Sequence, residues 1–310
     1  MLKTHSQIVA GFNLPDLPQN DRLQKVLAAT LQQHLGEQDR PPVLSGNPYW
    51  NANFFGLDRT TIFRESADLE RAAMLQMANF SAIAESYWIE KAGMGYMAKM
   101  VLLAETTEER MLYGLFAADE ATHFAQIKQS WQTGDLEKLT CRDPFLHFLA
   151  DLVETADKHV ILFVIQVVLE GWGLYHYRSL AQNAQEPAIG RMFQGFLQDE
   201  SRHHGSGVLL FDRVNLSQNS RRIVIEALAK FLGMVRVGPQ SIIQAIDRVK
   251  GGLSRAQKIQ ILTELDTESH SGSRLQILRS LMQQNPGAAP IIQALVEHNA
   301  FEPLPPDRCL

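Results

Sequence analysis

Apolar residues recur along this chain mainly at the three-to-four spacing of an α-helix, and strand-like alternation is nearly absent. Residues 21–35 predict a first helix, because Leu23, Val26, Leu27 and Leu31 share one face. Pro41, Pro42, Gly46, Asn47 and Pro48 then mark a loop. From residue 66 to about residue 236 the pattern is helical almost throughout, with breaks near 105–107, 134–135, 142–144 and 185–187. The longest predicted helices cover 81–104, 107–131, 156–183 and 187–214. Thr107 ahead of Glu108 and Glu109, and Glu186 ahead of Pro187, suit helix starts. Beyond Gly238 come shorter helices over 241–249, 254–265, 272–284 and 289–298, separated by Gly-Gly, Ser-Gly and Asn-Pro-Gly. The tail 302–310 carries three prolines and reads as a surface strap or a frayed end. The pattern predicts an all-α protein. A four-helix bundle would occupy 66–236, with an N-terminal extension over 1–65 and a C-terminal helical appendage over 237–310 packed on the bundle.

Composition narrows the class. In 310 residues, 45% are apolar and 20% charged, enough for a substantial core. A net charge of −5 without a basic run argues against a nucleic-acid partner. Cys141 and Cys309 are far apart, which disfavours both a disulfide framework and a thiolate zinc site, so a reduced, cytoplasmic compartment is expected. The most apolar stretch, 160–169, contains Gln166 and is closed by Lys158 and Glu170. It is short of the roughly 20 residues that a membrane span needs, and reads as a buried bundle helix. No membrane partner and no export segment are expected.

The chemistry lies in a duplication offset by 80 residues. Glu90 matches Glu170, Gly93 matches Gly173, Ala104 matches Ala184 and Phe116 matches Phe196. Asp119-Glu120-x-x-His123 matches Asp199-Glu200-x-x-His203, and in each copy a lone Glu precedes the Glu-x-x-His by 30 residues. A Glu-x-x-His places two ligand types one turn apart on one helix face. Two such helices, with two more that each project one Glu, can surround a pair of metal ions. Four carboxylates balance two divalent cations, and burying them without cations would be costly. Carboxylate and imidazole without thiolate suit iron or manganese better than zinc or copper. Chance yields about 0.6 Glu-x-x-His matches in a chain of this composition, and roughly 0.03 with a preceding Asp, so two copies with matched upstream Glu are not an accident of composition.

On these residues the segment 81–207 resembles the ferritin-like di-iron carboxylate superfamily, of the O2-activating oxygenase or oxidase type. The resemblance implies four antiparallel helices with a long crossover, here 132–156, between the second and third. It implies that Glu90, Glu120 and His123 ligate one metal and Glu170, Glu200 and His203 the other, with Glu120 and Glu200 bridging. Asp119 and Asp199 would be hydrogen-bonding partners of ligand histidines. Arg202 matches the Asp-Glu-x-Arg-His of desaturases and hydroxylases. Thr122 stands in its place in the first copy, which puts a wider network on that side in doubt.

The neighbours admit two readings. Glu85 rivals Glu90 as a ligand, but its partner at the 80-residue offset is Ile165, which cannot ligate. His204, His159 and His176 fall off the ligand rows. Met94, Met97, Tyr113, Phe116, Leu174, Tyr177, Phe193 and Phe196 lie one or two turns from the ligands, as bundle core or as the wall of an apolar substrate pocket. Gly93 and Gly173 suggest either close helix packing or open space beside the metals. A ferritin cage subunit is disfavoured by the extra structure around the bundle. The radical-storing subunit of ribonucleotide reductase is disfavoured by Ile127, one turn after the first His ligand.

The resemblance therefore implies a non-haem di-iron oxidoreductase. It would use two iron ions, with manganese as the alternative, to activate O2 and oxidise a small, mostly apolar organic substrate. A separate electron donor such as a ferredoxin or reductase would serve it, and a homodimer is compatible with the sequence. The competing expectation is a ferroxidase or peroxide-scavenging iron-handling protein with no organic substrate.

Overall fold

The computed structural model describes residues 9–18, 20–34, 48–131 and 143–310. Among these residues there is no strand. The helices are α1 (Arg22–His34), α2 (Thr61–Arg64), α3 (Asp68–Leu103), α4 (Thr107–Ser130), α5 (Pro144–Thr155), α6 (Lys158–Ile161), α7 (Glu170–Asn183) and α8 (Pro187–Phe211). After them come α9 (Gln218–Arg236), α10 (Gln240–Lys250), α11 (Arg255–Glu264), α12 (Thr267–Gln283) and α13 (Ala289–Glu297). A π-helical stretch, Leu162–Leu169, joins α6 to α7 without a break. The predicted loop around 41–47 and the break at 134–135 lie outside the described residues, as does much of the expected crossover.

Local chemistry sets the helix ends. α3 begins thirteen residues before the predicted 81, where the Glu70 carboxylate accepts the Ala67 N–H at 3.1 Å. α4 is capped by Thr106, not Thr107, whose hydroxyl accepts the Glu109 N–H at 3.1 Å. α8 begins as expected, with Pro187 in its first turn after Glu186. Asp143 and Asp157 cap α5 and α6.

Three-residue links, 104–106 and 184–186, make α3 with α4 and α7 with α8 antiparallel neighbours. Between the pairs, Tyr96 of α3 donates to Glu170 of α7 at 3.0 Å, while Tyr177 of α7 donates to Glu90 of α3. Rising numbers on one helix meet falling numbers on the other, so α3 and α7 are antiparallel too.

By length and composition the continuous helix Lys158–Asn183 could cross a membrane. Its apolar part, from Val160 to Val168, is buried inside the protein. Phe163 stacks on Phe211 of α8, and the same core takes in Leu228 of α9, Leu278 of α12 and Leu295 of α13. A second core unites Leu57, Met74 and Ala78 with Ile243, Ile246 and Leu262. The C-terminal tail is pinned: Cys309 is buried, and its carbonyl accepts from Gln240 at 3.1 Å. α1 forms where the sequence placed it, yet none of its residues is buried, and Leu23, Val26 and Leu27 stay exposed.

Gln166 is the polar node of the π-helical stretch. Its amide donates to the His203 carbonyl and to Ser206 Oγ, both at 3.0 Å, and its oxygen accepts from Tyr113 at 2.7 Å. A Cβ on Gly207 would meet Gln166 Cγ at 2.6 Å, so glycine there lets α8 approach. Gln166→Leu strands the buried Tyr113 hydroxyl and is expected to cost about 1–3 kcal/mol in chemical denaturation. Adding Tyr113→Phe should cost less than the two single changes summed; simple additivity would contradict the node.

Candidate metal centre

The six residues singled out by the repeat meet between α3, α4, α7 and α8. Donor atoms of Glu90, Glu120, His123 and Glu200 lie within 4.8 Å of one another, and so do those of Glu120, Glu170, Glu200 and His203. Glu120 and Glu200 belong to both groups. Glu90, Glu120, His123, Glu200 and His203 are buried, and Glu170 is half-buried. Glu85 is not in either group. These buried Glu and His side chains could hold a metal ion.

The imidazoles are turned alike. His123 directs Nδ1 inward, 3.2 Å from Glu90, and Nε2 outward, 3.0 Å from Asp199. His203 directs Nδ1 to Glu200 at 3.2 Å and Glu120 at 3.3 Å, and Nε2 to Asp119 at 3.2 Å. The partnership is crossed: the Asp of each helix orients the His of the other. Such a partner fixes the tautomer and leaves one ring nitrogen for a cation. Arg202 ion-pairs with Asp199 and lies 3.8 Å from Asp119, so one guanidinium serves both sides despite Thr122. The Thr122 hydroxyl instead donates to its own helix, at the Asp119 carbonyl, 2.8 Å away.

Electrostatics explain the crowding. Burial, then the charges of Glu90 and Glu200, pushes the Glu120 carboxyl well above the usual range. Burial and Glu200 do the same to Glu170. Burial opposes the charged form of His123 and of His203, but the surrounding carboxylates overcome it and raise both. Burial would also raise Glu200, yet hydrogen bonds from Glu170 and His203 hold it low. Protons thus hold the acidic cluster together when no cation does. Divalent ions taken up there must displace those protons. Four carboxylates match the charge of two such ions, and the donor set of carboxylate and imidazole suits them.

Tyr96 and Tyr177 support the two outer carboxylates, Glu170 and Glu90. Burial and nearby carboxylates raise both phenols well above their ordinary value, so they remain donors. Tyr96 was missed from sequence, because the 80-residue offset pairs it with His176, and Tyr177 with Met97.

A cavity of about 230 Å³ touches Glu120, Glu170 and Glu200. It lies between α3 and α7 and is roofed by α5, α9 and α12, with Ile89, Leu149, Ile165 and Phe231 among its walls. Of the expected wall residues, Gly93, Gly173 and Tyr177 line it. Met94, Met97, Tyr113, Phe116, Leu174, Phe193 and Phe196 do not, which corrects that expectation. The reason is geometric: α4 and α8 face the cavity only through Glu120 and Glu200. Phe116 and Phe196 cover the rings of His203 and His123 instead, at centroid distances of 4.2 and 4.1 Å. Tyr113 binds Gln166, Phe193 packs on Tyr177 and Trp50, and Met97 is fully buried in the core. Met94 and Leu174 are half-buried on other faces of their helices.

The two glycines differ. A Cβ on Gly93 would lie 2.5 Å from Glu120 Oε2, so its absence admits that carboxylate to the site. A Cβ on Gly173 would meet nothing within 4 Å. His204 packs beside Gly171, away from the cluster, where a Cβ would meet its ring at 2.9 Å.

Comparison with protein-family models, curated proteins and solved structures found no match to this chain.

Gly93→Ala should displace Glu120 and reduce bound metal at least severalfold in elemental analysis, with helicity retained. Gly173→Ala should leave metal content unchanged. Equal metal content in the two variants would contradict the placement of Glu120.

Proposed function

We propose that this chain is a ferritin-like di-iron carboxylate oxygenase or oxidase acting on a small, mostly apolar organic molecule. The observation that carries the reading is the largely apolar cavity that reaches three of the four site carboxylates. Iron storage or ferroxidation has no use for such a chamber and is better served by a hydrophilic route for ions. Two redox-active metal ions, iron or alternatively manganese, would supply the activation of O2.

The residues of the chain account for the rest. Glu90, Glu120, His123, Glu170, Glu200 and His203 would hold the ions, with Glu120 and Glu200 shared between them. Asp119, Asp199 and Arg202 fix the imidazoles. Tyr96 and Tyr177 hold the outer carboxylates by hydrogen bonds that such groups can break when they change coordination. The apolar walls exclude water and place a substrate carbon beside the site. Electrons come from outside the chain, which makes a ferredoxin or reductase the natural partner.

With iron bound and a reductant supplied, candidate organic substrates should raise O2 consumption, and a product carrying a new oxygen atom or double bond should appear by mass spectrometry. Gly173→Leu should keep its metal and lose most of this turnover by filling the cavity. Glu120→Ala combined with Glu200→Ala should abolish both. Uptake of many more than two irons per chain, without substrate-dependent O2 use, would favour the iron-handling reading.

A further inference from the structure

The cavity is not apolar throughout. Glu85, His176 and Arg274 line it together with the site carboxylates. Glu85 precedes Glu90 by five residues, about 7.5 Å along α3, and His176 follows Glu170 by six, about 9 Å along α7. Because α3 and α7 are antiparallel, both displacements run toward the same end of the cavity. α12 brings Arg274 to that end, where it acts electrostatically on both. Arg274 is exposed and Glu85 and His176 are half-buried, whereas Glu120 and Glu200 are buried. The cavity is therefore graded from an accessible charged mouth to an enclosed carboxylate floor.

The mouth has unspent hydrogen-bonding capacity. His176 Nε2 is buried without a partner. Among the described residues no hydrogen bond or close ion pair engages the Arg274 guanidinium; its charged neighbour is Glu85. A guanidinium offers five N–H donors in a planar fork that matches a carboxylate. Burial, with Asp143 adding and Arg274 opposing, pushes the Glu85 carboxyl up to about 7. Burial and Arg274 push His176 down to about 4. At neutral pH the imidazole is therefore uncharged, while Glu85 is about half ionised. The cation at the mouth is the Arg274 guanidinium, set against the partial charge of Glu85, on which Asp143 also acts.

We propose that the cavity binds an organic monocarboxylic acid, with its carboxylate on Arg274 and His176 Nε2–H and its hydrocarbon part running past Ile89, Leu149, Ile165 and Phe231 toward Glu120, Glu170 and Glu200. This names the substrate class of the oxygenase reading and rests on it for any chemistry, though binding itself needs no turnover. A dianionic phosphate would be poorly met by one guanidinium beside Glu85. An amine would need a Glu85 that is charged and not already opposite Arg274.

The test is calorimetric titration of the metal-loaded protein with butyrate, octanoate and benzoate, each against its uncharged alcohol and its amine. At least one acid should bind about tenfold more tightly than its alcohol and its amine. Arg274→Gln should erase that preference while leaving the alcohol's affinity unchanged. Glu85→Gln, which removes the competing carboxylate, should strengthen acid binding. Alcohols or amines binding as well as the acids, or an acid preference that survives Arg274→Gln, would overturn the proposal. Should Arg274→Gln fail to fold, the wild-type comparison and the Glu85→Gln variant still decide it. Parallel O2 measurements separate the two readings. Acid binding that never drives O2 consumption would sink the oxygenase and leave the acid site. O2 consumption driven only by uncharged molecules would sink the acid site alone.

Discussion

Four carboxylates and two imidazoles are gathered where helices meet and little water reaches. Left to themselves, ionised carboxylates at this spacing repel one another, and burial removes the solvent that would screen them. The cluster can persist only if positive charge is supplied inside it, as protons in the absence of metal or as two divalent ions in their presence. Much of the surrounding structure answers that requirement. Asp119 and Asp199, crossed between α8 and α4, hold the imidazoles so that one nitrogen of each faces inward. Tyr96 and Tyr177, crossed between α7 and α3, hold the outer carboxylates. Gly93 leaves the gap through which Glu120 reaches the centre.

The same duplication that builds the cluster is broken around it. On the α4 and α8 side, Phe116 and Phe196 pack over the imidazoles. On the α3 and α7 side a cavity opens, and helices from the C-terminal third complete it: Phe231 and Met234 from α9, Arg274 from α12. The repeated residues supply the cluster that could hold a metal ion, and the unrepeated surroundings on the α3 and α7 side supply a chamber with a charged mouth. That division is why the centre can be read as a place for chemistry on an organic molecule.

The six ligand candidates were legible in sequence because helical geometry ties Glu-x-x-His spacing directly to one face, and because the repeat set them apart from chance. The long helices were legible from the near absence of strand-like alternation and from the breaks between them, with Thr106 in place of Thr107 as a small error and the start of α3 at Asp68, thirteen residues early, as a larger one. The cavity was not legible. Its sides come from α3 and α7, but its roof comes from α5, α9 and α12, and no periodicity in one segment reports which distant helix will cover it. The core aromatics were read as possible walls because sequence shows which residues share a helix face but not which neighbour that face meets. The phenol pair was hidden by a one-residue slip in the repeat. The π-helical stretch before Glu170 left no signal beyond Gln166 in an apolar run, and α1 kept its predicted helical pattern without finding a partner to bury it.

The central claim is that one buried cluster binds two cations that share Glu120 and Glu200. Anomalous X-ray scattering from crystals loaded with iron or manganese tests it directly. The account predicts two peaks, about 3.5–4 Å apart, one beside His123 and Glu90 and the other beside His203 and Glu170. A single peak, or metal bound elsewhere with the cluster closed on its own protons, would contradict it.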